Sequence, residues 1–86
     1  MGLDLVEAVM DLEERFQTEL ADEAVQRCHT VGELIDLLAG LSHGHSIESH
    51  LGRHRVARLV RLTLARQFAV PYRSISESTT WRELGA

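Results

Sequence analysis

Four histidines, His43, His45, His50 and His54, fall within twelve residues of an 86-residue chain. His50 and His54 stand four residues apart, so a helix there would let two imidazoles share a metal, and His43 could join with His45 to supply a further ligand. Apart from Glu48, no cysteine or carboxylate accompanies them at a fixed spacing, so no metal site is expected. The plainer reading is a polar linker whose charge changes as pH falls through about 6.5. The one cysteine, Cys28, precedes His29. Helical neighbours point about 100° apart, which argues against a Cys/His nucleophile pair and for a small core or boundary residue. No nucleophile, base and oxyanion donor assemble from these residues, and no enzyme activity is expected.

Charge supplies the other chemistry. The net charge is −4, yet residues 1–48 hold eleven carboxylates against Arg15 and Arg27, whereas residues 49–86 hold seven arginines against Glu77 and Glu83. The halves should attract, an effect that orients docking more than it stabilises, because surface pairs are weak and screened. Asp4, Glu7, Asp11, Glu13 and Glu14 crowd the first helical run and read either as a solvated face or as a docking surface for basic partners. Arg53, Arg55, Arg58, Arg61 and Arg66 form the one basic run. Nucleic acid is a poor fit, since the acidic remainder repels a polyanion and no aromatic residues interleave. These arginines are expected to pair with the acidic half or to meet another protein.

The elements that position these groups read as helices. In Gly2 to Phe16, the residues Leu5, Val6, Val9, Leu12 and Phe16 recur at three- and four-residue steps and are expected inward. A short second helix is expected from Asp22, as N-cap, to about Cys28, with Ala24 and Val25 inward. Thr30 and Glu33 fit a capping box that opens a third helix carrying Leu34, Ile35, Leu37 and Leu38, ended by Gly40 and Gly44. Leu41 to Gly52 reads as a connector. A fourth helix from about Arg53 to Phe68 places Val56, Leu59, Val60, Thr63, Leu64 and Phe68 inward. Pro71 marks a turn, Ile75 a core anchor, and Thr80 with Glu83 a second capping box, with Trp81 and Leu84 packed inward. The expectation is one all-α domain, a small bundle of three main helices plus one short helix. No apolar run reaches the roughly 18 residues of a membrane span, no leader peptide is evident, and a lone cysteine suits a reducing compartment, so a cytoplasmic location is expected.

The run VEAVMDLEERF resembles the second helix of acyl carrier proteins, whose V-E-L-V-M-x-L-E-E-x-F pattern follows the D-S-L motif bearing phosphopantetheine. Thr18 to Leu38, TELADEAVQRCHTVGELIDLL, resembles that family's third and fourth helices. Residues 56–86, VARLVRLTLARQFAVPYRSISESTTWRELGA, resemble its first helix and the loop that ends just before D-S-L. The resemblance implies an acyl-carrier-like bundle in circularly permuted order: residues 1–40 correspond to helices two to four, 41–52 to a connector, and 53–86 to helix one and its loop. It also implies that Asp4, Glu7, Asp11, Glu13 and Glu14 meet basic surfaces of partner enzymes in fatty-acid or polyketide-type metabolism. Phosphopantetheine is the cofactor such a family carries, but the attachment serine falls on Gly2 in one alignment and on Leu5 in another, and neither has a nucleophilic oxygen. No cofactor is therefore expected. Ser42, Ser46, Ser49, Ser74, Ser76 and Ser78 lack a D-S-L context. The alternative is an interaction or regulatory module that keeps the fold and has no acyl-carrier role. The join implied by permutation brings Leu84-Gly85-Ala86 to the amino terminus, in a monomer or a segment-swapped dimer.

Overall fold

The computed structural model of the chain describes residues 3–42 and 49–85. The fold is all-α: α1 (Leu3–Phe16), α2 (Asp22–Gln26), α3 (Val31–Ser42), α4 (Ser49–Phe68), a 3-10 turn (Tyr72–Ser74) and α5 (Trp81–Leu84). Three helices of 12 residues or more form the bundle, and the described residues contain no strand. None of their helices is long and apolar enough to cross a membrane.

The central post is α4, against which both α1 and α3 pack. Its Val56, Val60 and Leu64 recur every four residues, which keeps them on one strip of a 3.6-residue helix, and all three are buried together with Thr63. Leu59 and Phe68, also expected inward, are half-buried. Gln67, near the end of α4, donates to Glu7 near the start of α1 at 2.7 Å. At the other end Leu59 shares a groove with Phe16, so α1 and α4 run antiparallel.

The inward arc of α1 is Leu5, Ala8, Val9 and Leu12, the i, i+3, i+4, i+7 set. This corrects one expectation. Val6 stands 100° round from Leu5, outside that arc, and is exposed, while Ala8 takes the inward place. A second correction concerns α2: its N-cap is Ala21, which makes no side-chain capping bond, and Asp22 is already helical. Asp22 then acts with Glu23 as a carboxylate in the positive first turn.

Gly40 does not end α3, which continues to Ser42, and α4 starts at Ser49. A glycine inside a helix costs about 1 kcal/mol, too little to stop a helix whose Leu34, Ile35 and Leu38 are fully buried. The expected connector therefore gives up both ends to helices. The rest of it, residues 43–48 with Gly44, lies outside the described residues.

The loops after α1 and after α4 each begin at a non-glycine residue in the left-handed region, Gln17 (φ 51°) and Ala69 (φ 55°). Each turn is closed by a backbone bond reaching five residues back, from Thr18 N–H to Glu13 and from Val70 N–H to Ala65.

The loop after α4 returns to finish α3. A helix start leaves its first N–H groups without intrahelical partners. Here Val31 N–H donates to the Thr79 carbonyl at 2.9 Å, Gly32 N–H to the Glu77 carbonyl at 2.8 Å, and Glu33 N–H to Thr30 Oγ1 at 3.2 Å. The returning Glu33 carboxylate accepts from the His29 N–H, one residue earlier than a standard capping box would place it. Ile75 is fully buried, as its position in the loop predicts. The Thr80–Glu83 box is complete, Gly85 closes α5 in the left-handed region, and the half-buried Trp81 donates its indole N–H to the Cys28 carbonyl at 2.8 Å.

Candidate docking surface on the first helix

Burying Leu5, Ala8, Val9 and Leu12 fixes the rotation of α1 and so decides what faces water. On the opposite side lie Leu3 at 72 % exposure, Met10 at 61 % and Val6 at 36 %. With exposed Glu7 and Glu14 they make a strip in which Leu3, Glu7, Met10 and Glu14 succeed one another at steps of four, three and four residues. Periodicity reasoning missed Leu3 and Met10 as surface groups. The available signal was that both fall off the inward arc while remaining large and apolar.

The five predicted carboxylates do not form one uniform patch. Asp4, Glu7 and Glu14 are exposed, whereas Asp11 and Glu13 are half-buried. Glu7 accepts from Gln67, Asp11 pairs with Arg15 at 3.2 Å, and Glu13 accepts the Leu20 N–H at 2.7 Å, which ties the following loop to the helix. The carboxylates of Asp4 and Glu14 make no hydrogen bond or ion pair among the described residues. Beside Met10 an open groove is lined by Glu13, Glu14, Glu19, Leu20 and Ala21. Its three carboxylates over an apolar floor suit the stem and charge of an arginine or lysine side chain.

Other candidates fall elsewhere. Leu5, one of the two positions aligned with the carrier serine, is 3 % exposed in the core, and Gly2, the other, lies outside the described residues. Met1 and Ala86 lie outside them too, and with them the expected join of the chain ends. The Ser74 hydroxyl donates to the Pro71 carbonyl, and Ser76 Oγ lies 3.0 Å from Ser78 Oγ. The side chains of Ser42, Ser46 and Ser49, like those of His43, His45 and His50, are outside the described residues; His54 is exposed on α4. Among the described residues no three His, Cys, Asp or Glu side chains gather as a metal site would require.

Cys28 is buried, and that burial, reinforced by Glu33 and Asp36, pushes its thiol pKa up. A thiol held protonated is a weak nucleophile.

The arginines divide. Arg53 bonds Asp36 at 2.8 Å and grips both oxygens of Glu77 at 2.7 and 3.0 Å, joining α4 to α3 and to the returning loop. These charge-assisted bonds hold the Glu77 carboxyl below its ordinary value, against the opposing effect of desolvation. Arg61 donates to the Ile75 carbonyl at 2.8 Å and stacks over Tyr72. Arg55, Arg58 and Arg66 are exposed and make no ion pair among the described residues. No protein-family model matches the chain, and no solved structure matches it.

Proposed function

We propose that this chain is an acyl-carrier-protein-like, non-enzymatic protein of the cytoplasm that docks partner enzymes of fatty-acid or polyketide-type metabolism through α1, without a phosphopantetheine arm. The observation that carries the reading is the exposed Leu3–Val6–Met10 strip interleaved with Glu7 and Glu14. Apolar groups this large, aligned on one face and rimmed by like charges, match the make-up of an interaction surface better than that of a merely solvated helix. The carboxylates steer a basic surface into place, and the apolar groups then exclude water at the contact. The resemblance of VEAVMDLEERF to the carrier family's recognition helix supports the choice of partner. The burial of Leu5 favours a second reading, in which the bundle is kept solely as an interaction or regulatory module.

Two measurements test the proposal. Incubation with a phosphopantetheinyl transferase and coenzyme A should leave the intact mass unchanged; a gain of one phosphopantetheine arm would overturn the absence of a carrier site. Titration of carrier-dependent enzymes such as ketosynthases should show binding that weakens with salt. Met10→Ala should weaken that binding by about tenfold, the worth of one buried apolar side chain at a contact centre. Glu14→Lys should weaken it further while leaving helicity unchanged. Absence of binding across a panel of such enzymes would sink the enzyme-docking reading and favour the module.

A further inference from the structure

The outer face of α4 carries a pattern that the proposed function does not use. Arg58, Leu62 and Arg66 follow one another at four-residue steps on the side opposite buried Val56, Val60 and Leu64, and Arg55 joins them one turn earlier. Leu62 is 38 % exposed. The sequence is charge, apolar, charge.

The outer strip of α1 has the same grammar with the opposite sign: Glu7, Met10, Glu14. Laid side by side with Met10 on Leu62, Glu14 stands four residues from the centre, as do Arg58 and Arg66, and Glu7 stands three. The two strips therefore match in length in either relative direction. A chain cannot close this contact on itself, because α1 and α4 already pack through their inward arcs and turn these strips away from each other.

We propose that the α4 face docks the α1 face of a second copy of this chain, head to tail. Charge complementarity selects the occupant: three guanidinium groups that make no ion pair among the described residues surround an exposed leucine and meet carboxylates around an exposed methionine, and each chain carries one strip of each kind. Nucleic acid meets the same arginines less well, since eleven of the chain's carboxylates lie in residues 1–48 and no aromatic side chain interrupts the strip for a base to stack on. The two faces differ, so the contact is heterologous: every added copy leaves one α1 face and one α4 face open. Association is accordingly weak, dependent on concentration and screened by salt. It also occupies α1, so self-association and enzyme docking exclude each other on that copy.

Sedimentation velocity over a concentration series tests the proposal. The wild-type chain should show an average mass that rises with concentration at low salt and falls toward the monomer at high salt. Arg58→Glu/Arg66→Glu and Glu7→Arg/Glu14→Arg should each be monomeric while keeping wild-type far-UV circular dichroism. Glu14→Arg alone should weaken association and leaves the Glu7–Gln67 bond in place, should the double variant lose helicity. An equimolar mixture of the two double variants should regain association, because each then offers the other a complementary pair. Asp22→Arg/Glu23→Arg, on exposed positions of α2 outside the Met10 groove and with the same net charge as the α1 variant, should behave as wild type. A monomer at every wild-type concentration overturns the proposal. So does association that survives Arg58→Glu/Arg66→Glu, or that the Asp22/Glu23 control abolishes equally. Self-association can fail without touching the docking reading, because the α4 variants leave α1 intact and should bind enzymes at least as well as wild type.

Discussion

Adding one methyl group to Gly32 and to Gly40, two glycines of the same helix, should move stability in opposite directions. In an isolated helix both Gly→Ala changes would be favourable by about 0.5–1 kcal/mol. At Gly40 a Cβ meets nothing within 4 Å, so Gly40→Ala should realise that gain and raise Tm by about 4 °C, as a domain of this size responds. At Gly32 the same atom would lie 2.9 Å from the Glu77 carbonyl oxygen and 3.0 Å from its Cβ, closer than van der Waals contact allows. The clash is with backbone, so relief requires lifting the returning loop. That motion loosens the Gly32 N–H to Glu77 bond, worth about 1 kcal/mol, and overpacking adds about 1–3 kcal/mol. After the propensity gain, Gly32→Ala should be destabilised by about 1–3 kcal/mol, a fall in Tm of roughly 4–15 °C. Urea and thermal unfolding followed at 222 nm, with Trp81 fluorescence reporting on the loop, measure both variants. Stability of Gly32→Ala equal to or above that of wild type would refute the close approach of residues 77–79 to the start of α3.

Two further outcomes are expected. Leu5→Ala should destabilise the bundle by about 2–4 kcal/mol, while Val6→Ala should change stability by less than about 0.5 kcal/mol, as chemical denaturation will show; similar losses would mean that α1 is rotated differently. Because the Glu77 carboxyl sits below its ordinary value in the folded chain, the unfolded chain binds more protons on acidification, so its contribution is present above about pH 4.5 and is lost as pH falls below that. Arg53→Met removes the chief cause. The stability gap between wild type and this variant, measured by urea midpoints from pH 7 to pH 3, should therefore narrow on acidification; a gap that stays constant or widens would refute the assignment.

Much of the bundle was legible in the sequence because helix formation and amphipathicity are local. Leu34, Ile35 and Leu38, or Val56, Val60 and Leu64, announce a buried face through spacing alone, and the Thr80–Glu83 capping box needs only four residues. The acids of α1 were equally legible as a cluster. Which of them reach solvent was not, because Glu13 is drawn in by the Leu20 N–H once the chain turns.

Tertiary structure alone decided the rest. Ala8 displaces Val6 from the core because the rotation of α1 is set by all the inward residues acting together against α4, and one position cannot reveal it. The helices run past Gly40 and begin before Arg53 because burial outweighs the modest local cost of glycine. The need for glycine at position 32, and the choice of Glu77 as a partner of Arg53, depend on a loop returning from more than forty residues away to complete the start of α3. Periodicity carries information over three or four residues, whereas this closure depends on the free energy of the whole packed chain.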